Sequence, residues 1–320
     1  MNLLITGIHG FVGSNLVAAL KAQHTIYGLD IVSPQKEGVV SSFGWNDLEQ
    51  IPSVDAVIHL AGKAHDIRNT VSKQEYFDIN LGLTQKIFDY FLQSDARKFI
   101  FFSSVKAVAD QLDGDILTED VVPSPKGPYG ESKLAAENYI LNCFPSPNSQ
   151  LRTPNSELRT LYILRPCMIH GPGNKGNLNL LYKMVSKRIP WPLGKFDNQR
   201  SFCSIDNLNM IIRELIHRDN IPSGVYNICD DESISTNDII RLIAESQNRK
   251  ALIWNVSHKL IRTISKVGDV FHLPLNSERL QKLTESYVVS NEKIINTLGK
   301  PLPVSSKEGL LKTFESFNKL

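Results

Sequence analysis

The stretch that most constrains the fold is a glycine-rich turn between an apolar run and a helix near the amino terminus. Residues 2–6 read NLLIT and predict a buried strand, and the turn GIHGFVG follows at 7–13. An amphipathic helix is expected from Ser14 to about residue 22. Glycines in this spacing permit a tight turn and let backbone N–H groups approach a phosphate at the helix N-terminus. The pattern therefore predicts an α/β unit that binds a phosphate-bearing ligand.

The second predicted strand ends in an acid that narrows the choice of ligand. Residues 25–29 read TIYGL, and Asp30 follows them. A carboxylate about 20 residues beyond the first glycine accepts hydrogen bonds from a ribose diol and repels a 2′-phosphate, so NAD is favoured over NADP. The residues of this unit predicted to bind the cofactor are Gly7, His9, Gly10, Phe11, Val12, Gly13 and Asp30.

Two later apolar runs predict further strands of a parallel sheet. They are residues 55–62 (DAVIHLAG) and 98–102 (KFIFF), and the second run leads into Ser104. Because ligands bind at the carboxyl ends of parallel strands, both ends should face the cofactor. His59 is interpreted as a core histidine with satisfied hydrogen bonds. The small or apolar residues of the first run that should contact the cofactor are Leu60, Ala61 and Gly62.

Tyr129 and Lys133 are predicted from the sequence to be catalytic residues. The proline-rich stretch 123–128 cannot be helical, so a helix should begin at about Tyr129 and bring both side chains to one face. A nearby ammonium favours phenolate, so Lys133 is expected to lower the pKa of Tyr129 toward working pH. A tyrosine tuned in this way can exchange a proton with a substrate hydroxyl.

Composition excludes several classes of protein. The 320 residues carry a formal net charge of +2, which gives no broad basic field for nucleic acid. No apolar run approaches the roughly 18 residues of a membrane span. The first residues have no basic start or cleavage site, so we interpret them as a strand and not as a signal peptide. The four cysteines lack metal-ligand or disulfide spacing, which predicts reduced thiols, no metal site and a cytoplasmic protein.

In combination, these motifs resemble the extended short-chain dehydrogenase/reductase superfamily, in its nucleotide-sugar epimerase/dehydratase branch. The resemblance runs from Met1 to about Leu208 and continues more loosely to the C-terminus. It implies an α/β fold, with a doubly wound parallel sheet of the Rossmann type and a smaller C-terminal substrate lobe. The motifs that carry it are TGxxGFVG at 6–13, Asp30, HLA at 59–61, SS at 103–104, YxxxK at 129–133, RP at 165–166 and GPG at 171–173.

The resemblance also implies domain limits and roles. The NAD-binding domain would cover 1–166 and be completed by about 201–229, and 167–200 with 230–320 would bind substrate. Tyr129 would be the acid/base, Lys133 would bind the nicotinamide ribose, and Ser104 would hydrogen-bond the reacting sugar oxygen. The other residues it implies are Ser103 and Pro166 for the cofactor, and Lys106, Asn177 and Arg200 for the substrate.

Two departures from known branches narrow the expected activity. Residues 259–267 predict an amphipathic helix where galactose 4-epimerases carry an Arg-Pro-Gly-like stretch. Together with SSVK at 103–106 and PLG at 192–194, this stretch resembles a bacterial surface-polysaccharide subgroup whose members epimerise or reduce UDP-linked N-acetylhexosamines at C4. Val105 and Lys106 stand where the dehydratases have an Asp-Glu pair, and they cannot act as the acid and base that eliminate water across C5 and C6 of the sugar.

The function that the sequence favours is that of an NAD-dependent 4-epimerase of a UDP-hexose or UDP-N-acetylhexosamine. The alternatives are an NAD(P)H-dependent reductase of a UDP-4-keto-6-deoxy-sugar and a non-catalytic dinucleotide-binding protein.

Two further features give expectations about surface and assembly. Residues 148–154 are nearly repeated at 155–161, which we interpret as a duplicated surface loop. The predicted helices 79–92 and 129–141 carry more apolar residues than one face needs, so a homodimer through a four-helix bundle is expected. The apolar residues in question are Ile87, Phe88, Phe91, Leu92, Leu134, Tyr139, Ile140 and Leu141.

Overall fold

The structure, a computed structural model, contains a parallel sheet of seven strands among the residues it describes. Those residues are 1–31, 34–64, 72–112, 114–144, 153–155, 158–174, 176–271 and 276–318. The described residues form nine strands, of which β7 and β8 lie outside this sheet. The strands are β1 (Asn2–Thr6), β2 (Thr25–Leu29), β3 (Ser41–Phe43), β4 (Ala56–His59), β5 (Lys98–Phe102), β6 (Thr160–Pro166), β7 (Met168–His170), β8 (Phe202–Ser204) and β9 (Gly224–Ile228).

The order of the strands confirms the predicted doubly wound sheet. It runs β3-β2-β1-β4-β5-β6-β9, and every neighbouring pair is parallel. The chain first moves outward from β1 to β3 and then restarts at β4 on the other side of β1. The carboxyl ends of β1 and β4 therefore flank the switch point at which such sheets bind ligands. Strands β7 and β8 form a separate parallel pair.

Helices cover the sheet and build a second lobe. They are α1 (Phe11–Leu20), α2 (Lys73–Phe77), α3 (Leu83–Gln93), α4 (Pro128–Cys143), α5 (Asn177–Ser186), α6 (Ile205–His217), α7 (Thr236–Ser246), α8 (His258–Phe271), α9 (Ser277–Thr284), α10 (Glu292–Leu298) and α11 (Ser306–Phe317). Two predicted helix starts were wrong. Helix α1 begins at Phe11 and not at Ser14, and the helix expected to start at residue 79 begins at Lys73 and passes through a π-helical turn, Asp78–Gly82.

Alternation along the strands places an apolar layer on each face of the sheet. In β1, Leu3 and Ile5 join the cluster beneath α1 and α6, whereas Leu4 joins the cluster beneath α3 and α4. In β5, Ile100 faces the first layer and Phe99 the second. A strand buried on both faces reads as a continuous apolar run, which is why these strands could be recognised from sequence.

A second group of apolar contacts builds the lobe beyond β7. Helices α5, α7 and α11 share one cluster, to which Leu178, Ile243 and Phe314 contribute. Helices α8 and α9 pack through Ile261 and Leu280 against a neighbouring cluster. The predicted domain limits themselves stay a prediction. Within the described residues, no helix combines the length and the apolar character that crossing a membrane requires.

Two sequence interpretations need correction. Half of the repeat 148–161 lies outside the described residues, but its end is no surface loop. Arg159 is buried, and its guanidinium donates to the carbonyls of Leu92 and Ser94 at 3.0 and 2.5 Å. The apolar surplus expected on the two helices is also largely absent among their described residues. Ile87, Phe88, Phe91 and Ile140 are all fully buried in this chain's own core.

Candidate active site

The glycine turn follows β1 and is held tightly against the end of β4. Gly7 has a φ of +70°, and a Cβ there would lie 3.0 Å from the backbone nitrogen of Ala61. A Cβ on Gly13 would lie 2.2 Å from the Gly7 carbonyl oxygen, closer than atoms can approach. The helix therefore runs directly beneath the turn. Its N-cap is Gly10, which brings the backbone of the first helical turn close to the surface of the loop.

Asp30 lies beside this turn, as the sequence predicted. Its Oδ2 accepts a hydrogen bond from the backbone N–H of His9 at 3.0 Å, and its Oδ1 accepts one from Ile31 N–H at 2.8 Å. The side chain is partly exposed at the carboxyl end of β2. Each carboxylate oxygen has a further lone pair, so hydrogen bonds from a ribose diol remain possible.

A threonine that the sequence interpretation missed connects the ends of β1 and β4. Thr6 Oγ1 accepts hydrogen bonds from the N–H groups of Leu60 at 3.1 Å and Ala61 at 2.9 Å. Thr6 also bonds His59 Nδ1 at 2.7 Å, and His59 Nε2 bonds Thr84 at 3.0 Å. His59 is therefore the core histidine expected, and burial holds its pKa well below the ordinary value.

Tyr129 and Ser104 meet where α4 approaches the loop after β5. The Ser104 hydroxyl lies close enough to the Tyr129 phenol to oppose part of the rise in the pKa of that phenol. Helix α4 begins at Pro128, and Gly130 allows the close approach because a Cβ there would lie 2.3 Å from the Lys106 carbonyl oxygen. Tyr76 from α2 packs edge-on against the Tyr129 ring, with 6.1 Å between centroids.

Lys133 is buried between the ends of two strands. Its Nζ donates to the Phe102 carbonyl oxygen at 2.8 Å, and a Cβ on Gly62 would lie 3.1 Å from the same nitrogen. Burial lowers the pKa of Lys133 to about 8, and the negative charge of Glu137 opposes this shift. The ammonium is thus at the edge of the sheet, next to both the predicted cofactor contacts of β4 and the end of β5.

The pKa of Tyr129 does not follow the expectation from sequence. Burial raises it above the ordinary value, and the nearby Ser104 hydroxyl only partly offsets this effect. Lys133 instead directs its ammonium at a backbone carbonyl, which the one-turn spacing could not reveal. The chain's own groups therefore do not supply the lowering that the Tyr-x-x-x-Lys spacing suggested.

A buried ion pair behind the site was also missed. The guanidinium of Arg165 contacts Glu137 through Nη2–Oε2 at 2.5 Å and Nε–Oε1 at 3.0 Å. Ser103 donates its hydroxyl to the same carboxylate, and Pro166, the last residue of β6, follows Arg165. The available sequence signal was the four-residue spacing from Lys133 to Glu137, which puts the carboxylate on the same face of α4. Ser103 is thus engaged with the helix.

The three residues predicted for the substrate do not all come together. Lys106 Nζ donates to the Asp110 carbonyl at 2.7 Å and lies 4.5 Å from the centre of the Tyr287 ring. Arg200 donates to the Lys282 carbonyl at 2.7 Å, and the Lys106 and Arg200 charges interact. Asn177 is exposed at the first residue of α5, and no hydrogen bond or ion pair among the described residues joins it to either cation.

Tyr287 is a further residue that sequence reasoning missed. Its hydroxyl donates to the carbonyls of Ala109 at 2.7 Å and Val105 at 3.3 Å, so it secures the loop that carries Ser104. Tyr287 is 182 residues from Val105, and nothing in the local sequence marks the contact.

The comparisons with known proteins agree with this geometry. A sequence model described as the NAD dependent epimerase/dehydratase family matches residues 3–229. The chain belongs to the NAD-dependent epimerase/dehydratase family. This range contains the glycine turn, Asp30, Ser104 and the Tyr129–Lys133 pair. Membership makes the protein one of a family of NAD-dependent enzymes, and NAD is the cofactor, as the sequence predicted.

Similar members of the family have related but different activities in their names. A UDP-glucose 4-epimerase of Vibrio cholerae is 27% identical over 99% of this chain and 95% of its own length. An N-acetyl-alpha-D-glucosaminyl-diphospho-ditrans,octacis-undecaprenol 4-epimerase of Escherichia coli O157:H7 is 26% identical over 78% and 73%. A GDP-6-deoxy-D-mannose reductase of Pseudomonas aeruginosa is 27% identical over 76% and 79%.

A solved structure supports the fold along the whole chain. The structure of MoeE5 in complex with UDP-glucose and NAD covers 100% of this chain and 99% of its own, with a TM-score of 0.75 and 20% identity. The geometry of the residues in the present chain is also consistent with bound NAD. Because Gly7 and Gly13 carry no Cβ, the turn can pack tightly on β4 and α1, which is the form of turn that brings backbone N–H groups to a pyrophosphate. Asp30 lies beside this turn, where its carboxylate can accept hydrogen bonds from a ribose.

Proposed function

We propose that the protein is an NAD-dependent nucleotide-sugar 4-epimerase that acts on a UDP-hexose or UDP-N-acetylhexosamine. The observation that carries the proposal is the proximity of the Ser104 hydroxyl to the Tyr129 phenol, with Lys133 in the next turn of α4. An acid/base group, its hydroxyl partner and an ammonium thus lie at the same sheet edge as the glycine turn. The names of two relatives, both 4-epimerases, support the assignment.

Each side chain would have a definite task in this reaction. Tyr129 would act as a phenolate, which the positive charge of bound NAD would favour, and would take the proton of the C4 hydroxyl while Ser104 holds the C4 oxygen by a hydrogen bond. Bound NAD would supply the hydride acceptor and donor that inversion at C4 requires. Tyr129 would then give its proton back to the C4 oxygen, so that no proton or electron pair is lost over one turnover. Lys133 would hold the nicotinamide ribose and keep positive charge beside the reacting groups.

Lys106 and Arg200 are the side chains proposed for the substrate diphosphate. Both are cations whose pKa burial lowers, and their charges interact. A planar guanidinium suits bidentate binding of a phosphate. Arg200 already donates to the Lys282 carbonyl, so it would use its remaining N–H groups. Asn177 stays a proposed contact that rests on resemblance alone.

An NMR assay with a panel of UDP- and dTDP-sugars tests the proposal. We expect one sugar to be converted to its C4 epimer without net consumption of added cofactor.

A reductase of a 4-keto sugar, the second candidate, would use the same side chains, and the name of the Pseudomonas relative favours it. Stoichiometric oxidation of NADH or NADPH would identify that activity. A protein that binds NAD and converts no sugar would support the third, non-catalytic reading.

Assembly and location are also proposals. A homodimer through α3 and α4 is still proposed, although only Leu141 among the eight expected apolar residues is strongly exposed, at 42%. Light scattering at micromolar concentration tests it, and a monomer would contradict it.

The free cysteines Cys143, Cys167, Cys203 and Cys229 support a reducing compartment, and we propose the cytoplasm and a role in polysaccharide biosynthesis.

A further inference from the structure

Helix α8 presents an apolar stripe to the outside of the molecule. Leu260, Ile264, Val267 and Phe271 are 52%, 42%, 45% and 69% exposed. Their spacing of four, three and four residues puts them on one side of an α-helix. Large apolar side chains that are exposed singly are ordinary, but four in one row form a contiguous patch of the kind that marks an interaction surface.

The exposed stripe is not the side of α8 that packs on the rest of the protein. Ile261, Ser265 and Gly268 form the buried side of the helix, and Ile261 belongs to the cluster shared with Leu280 of α9. These residues lie on a neighbouring side of the helix, about 100° away from the stripe by the 3.6-residue period. Helix α8 thus has one apolar side that packs on its own lobe and a second that faces outward.

Positive charge is concentrated around this stripe. Residues 249–271 contain five basic residues and one acid, Asp269, in a chain whose formal net charge is only +2. Lys259, Arg262 and Lys266 are exposed on α8, and no ion pair joins them to other described residues. Asp269 is occupied by hydrogen bonds from the N–H and hydroxyl of Ser277, at 2.8 and 2.6 Å.

The surface continues beyond the helix. Arg249 and Lys250 line an open cavity of about 460 Å³ together with Arg241. Between this cavity and α8, Leu252 and Trp254 are 47% and 58% exposed. Exposed basic side chains thus lie at both ends of the segment 249–271, at 249–250 and on α8, and the exposed Leu252 and Trp254 lie between them.

We propose that residues 249–271 dock the protein on an anionic phospholipid surface, with α8 lying in the plane of the membrane interface. Helices that lie on membranes combine an outward row of large apolar side chains with lysines and arginines on the polar side, and α8 has both. The excess of positive charge identifies an anionic surface as the complement. A second copy of this chain would bring the same positive charge against itself, which disfavours a dimer through this face.

Vesicle co-sedimentation of the full chain tests the proposal. We expect binding to vesicles of 70% phosphatidylcholine and 30% phosphatidylglycerol, little binding to phosphatidylcholine alone, and weakening by salt. Changing Lys259, Arg262 and Lys266 together to Gln should reduce the partition coefficient about a hundredfold, since each charge contributes about fivefold. The variant I264E/V267E should abolish binding. The control V122E changes a valine that is 82% exposed elsewhere, and should bind as the unaltered protein does.

Several outcomes would overturn the proposal. One is an unaltered protein that stays in the supernatant with anionic vesicles. Another is unchanged binding by I264E/V267E while its thermal unfolding and NAD affinity match those of the V122E control. A third is a dimer in light scattering that I264E/V267E converts to a monomer, because a second copy would then cover the stripe.

Discussion

The buried pair of Arg165 and Glu137 allows a quantitative prediction about what fixes α4 to the sheet. Their side chains are 6% and 1% exposed, with 2.5 Å between Nη2 and Oε2. Arg165→Met leaves the Glu137 carboxylate buried without its cation. Breaking a buried pair by removing one partner costs about 3–5 kcal/mol, since the remaining charge loses its paired counter-ion.

The size of the thermal effect follows from the length of the chain. Unfolding entropy of about 2.1 cal/mol/K per residue over 320 residues gives roughly 0.7 kcal/mol/K. A loss of about 3–5 kcal/mol should therefore lower Tm by about 4–7 °C. The double variant R165M/E137M removes both charges, so it should be more stable than either single variant.

Urea unfolding followed by tryptophan fluorescence measures the free energy of unfolding of the unaltered protein, of each single variant and of the double variant. Lys312→Met is the matched control, because Lys312 and Asp206 are also 2.5 Å apart but are 56% and 30% exposed. An exposed pair should contribute less than about 1 kcal/mol. The reasoning would be refuted if Arg165→Met cost no more than this control, or if the double variant lost the sum of the two single effects.

Three further predictions concern the site itself. Tyr129→Phe keeps the ring that packs on Tyr76 and should retain NAD binding, but turnover should fall about 10²–10⁴-fold; full turnover would show that Tyr129 is a packing residue. Asp30→Ala should narrow the preference for NAD over NADP in binding titrations, because it removes the carboxylate that repels a 2′-phosphate; equal affinities in the unaltered protein would contradict this role. Gly13→Ala should weaken NAD binding and lower Tm, because its Cβ would lie 2.2 Å from the Gly7 carbonyl oxygen and the turn must shift; an unchanged affinity would contradict the close packing described here.

Much of the sheet could be predicted because its signals are local. Strands β1, β2 and β5 begin and end where their apolar runs do, since most residues of each run are buried in the sheet. Helix starts were less predictable. Helix α1 includes Gly13 because the helix packs directly against the turn at Gly7 and Ile8, whereas a glycine is a poor helix former when judged from sequence alone.

By itself, the sequence determined the parts of the site that depend on short spacings. These are the glycine turn, the acid after β2, the serine after β5 and the Tyr129–Lys133 pair on one helix face. Each depends on residues within a few positions of one another, or on strand ends that a parallel sheet brings to a common edge.

Only the tertiary structure decided the electrostatic environment of these groups. Burial raises the pKa of Tyr129, against the expectation from the Tyr-x-x-x-Lys spacing, and lowers that of Lys133 to about 8. Glu137 meets Arg165 from 28 residues away. The outward stripe of α8 likewise exists because Ile261 already anchors the helix on another side. Charge stabilisation and burial depend on how distant segments pack, and a local pattern contains no information about those neighbours.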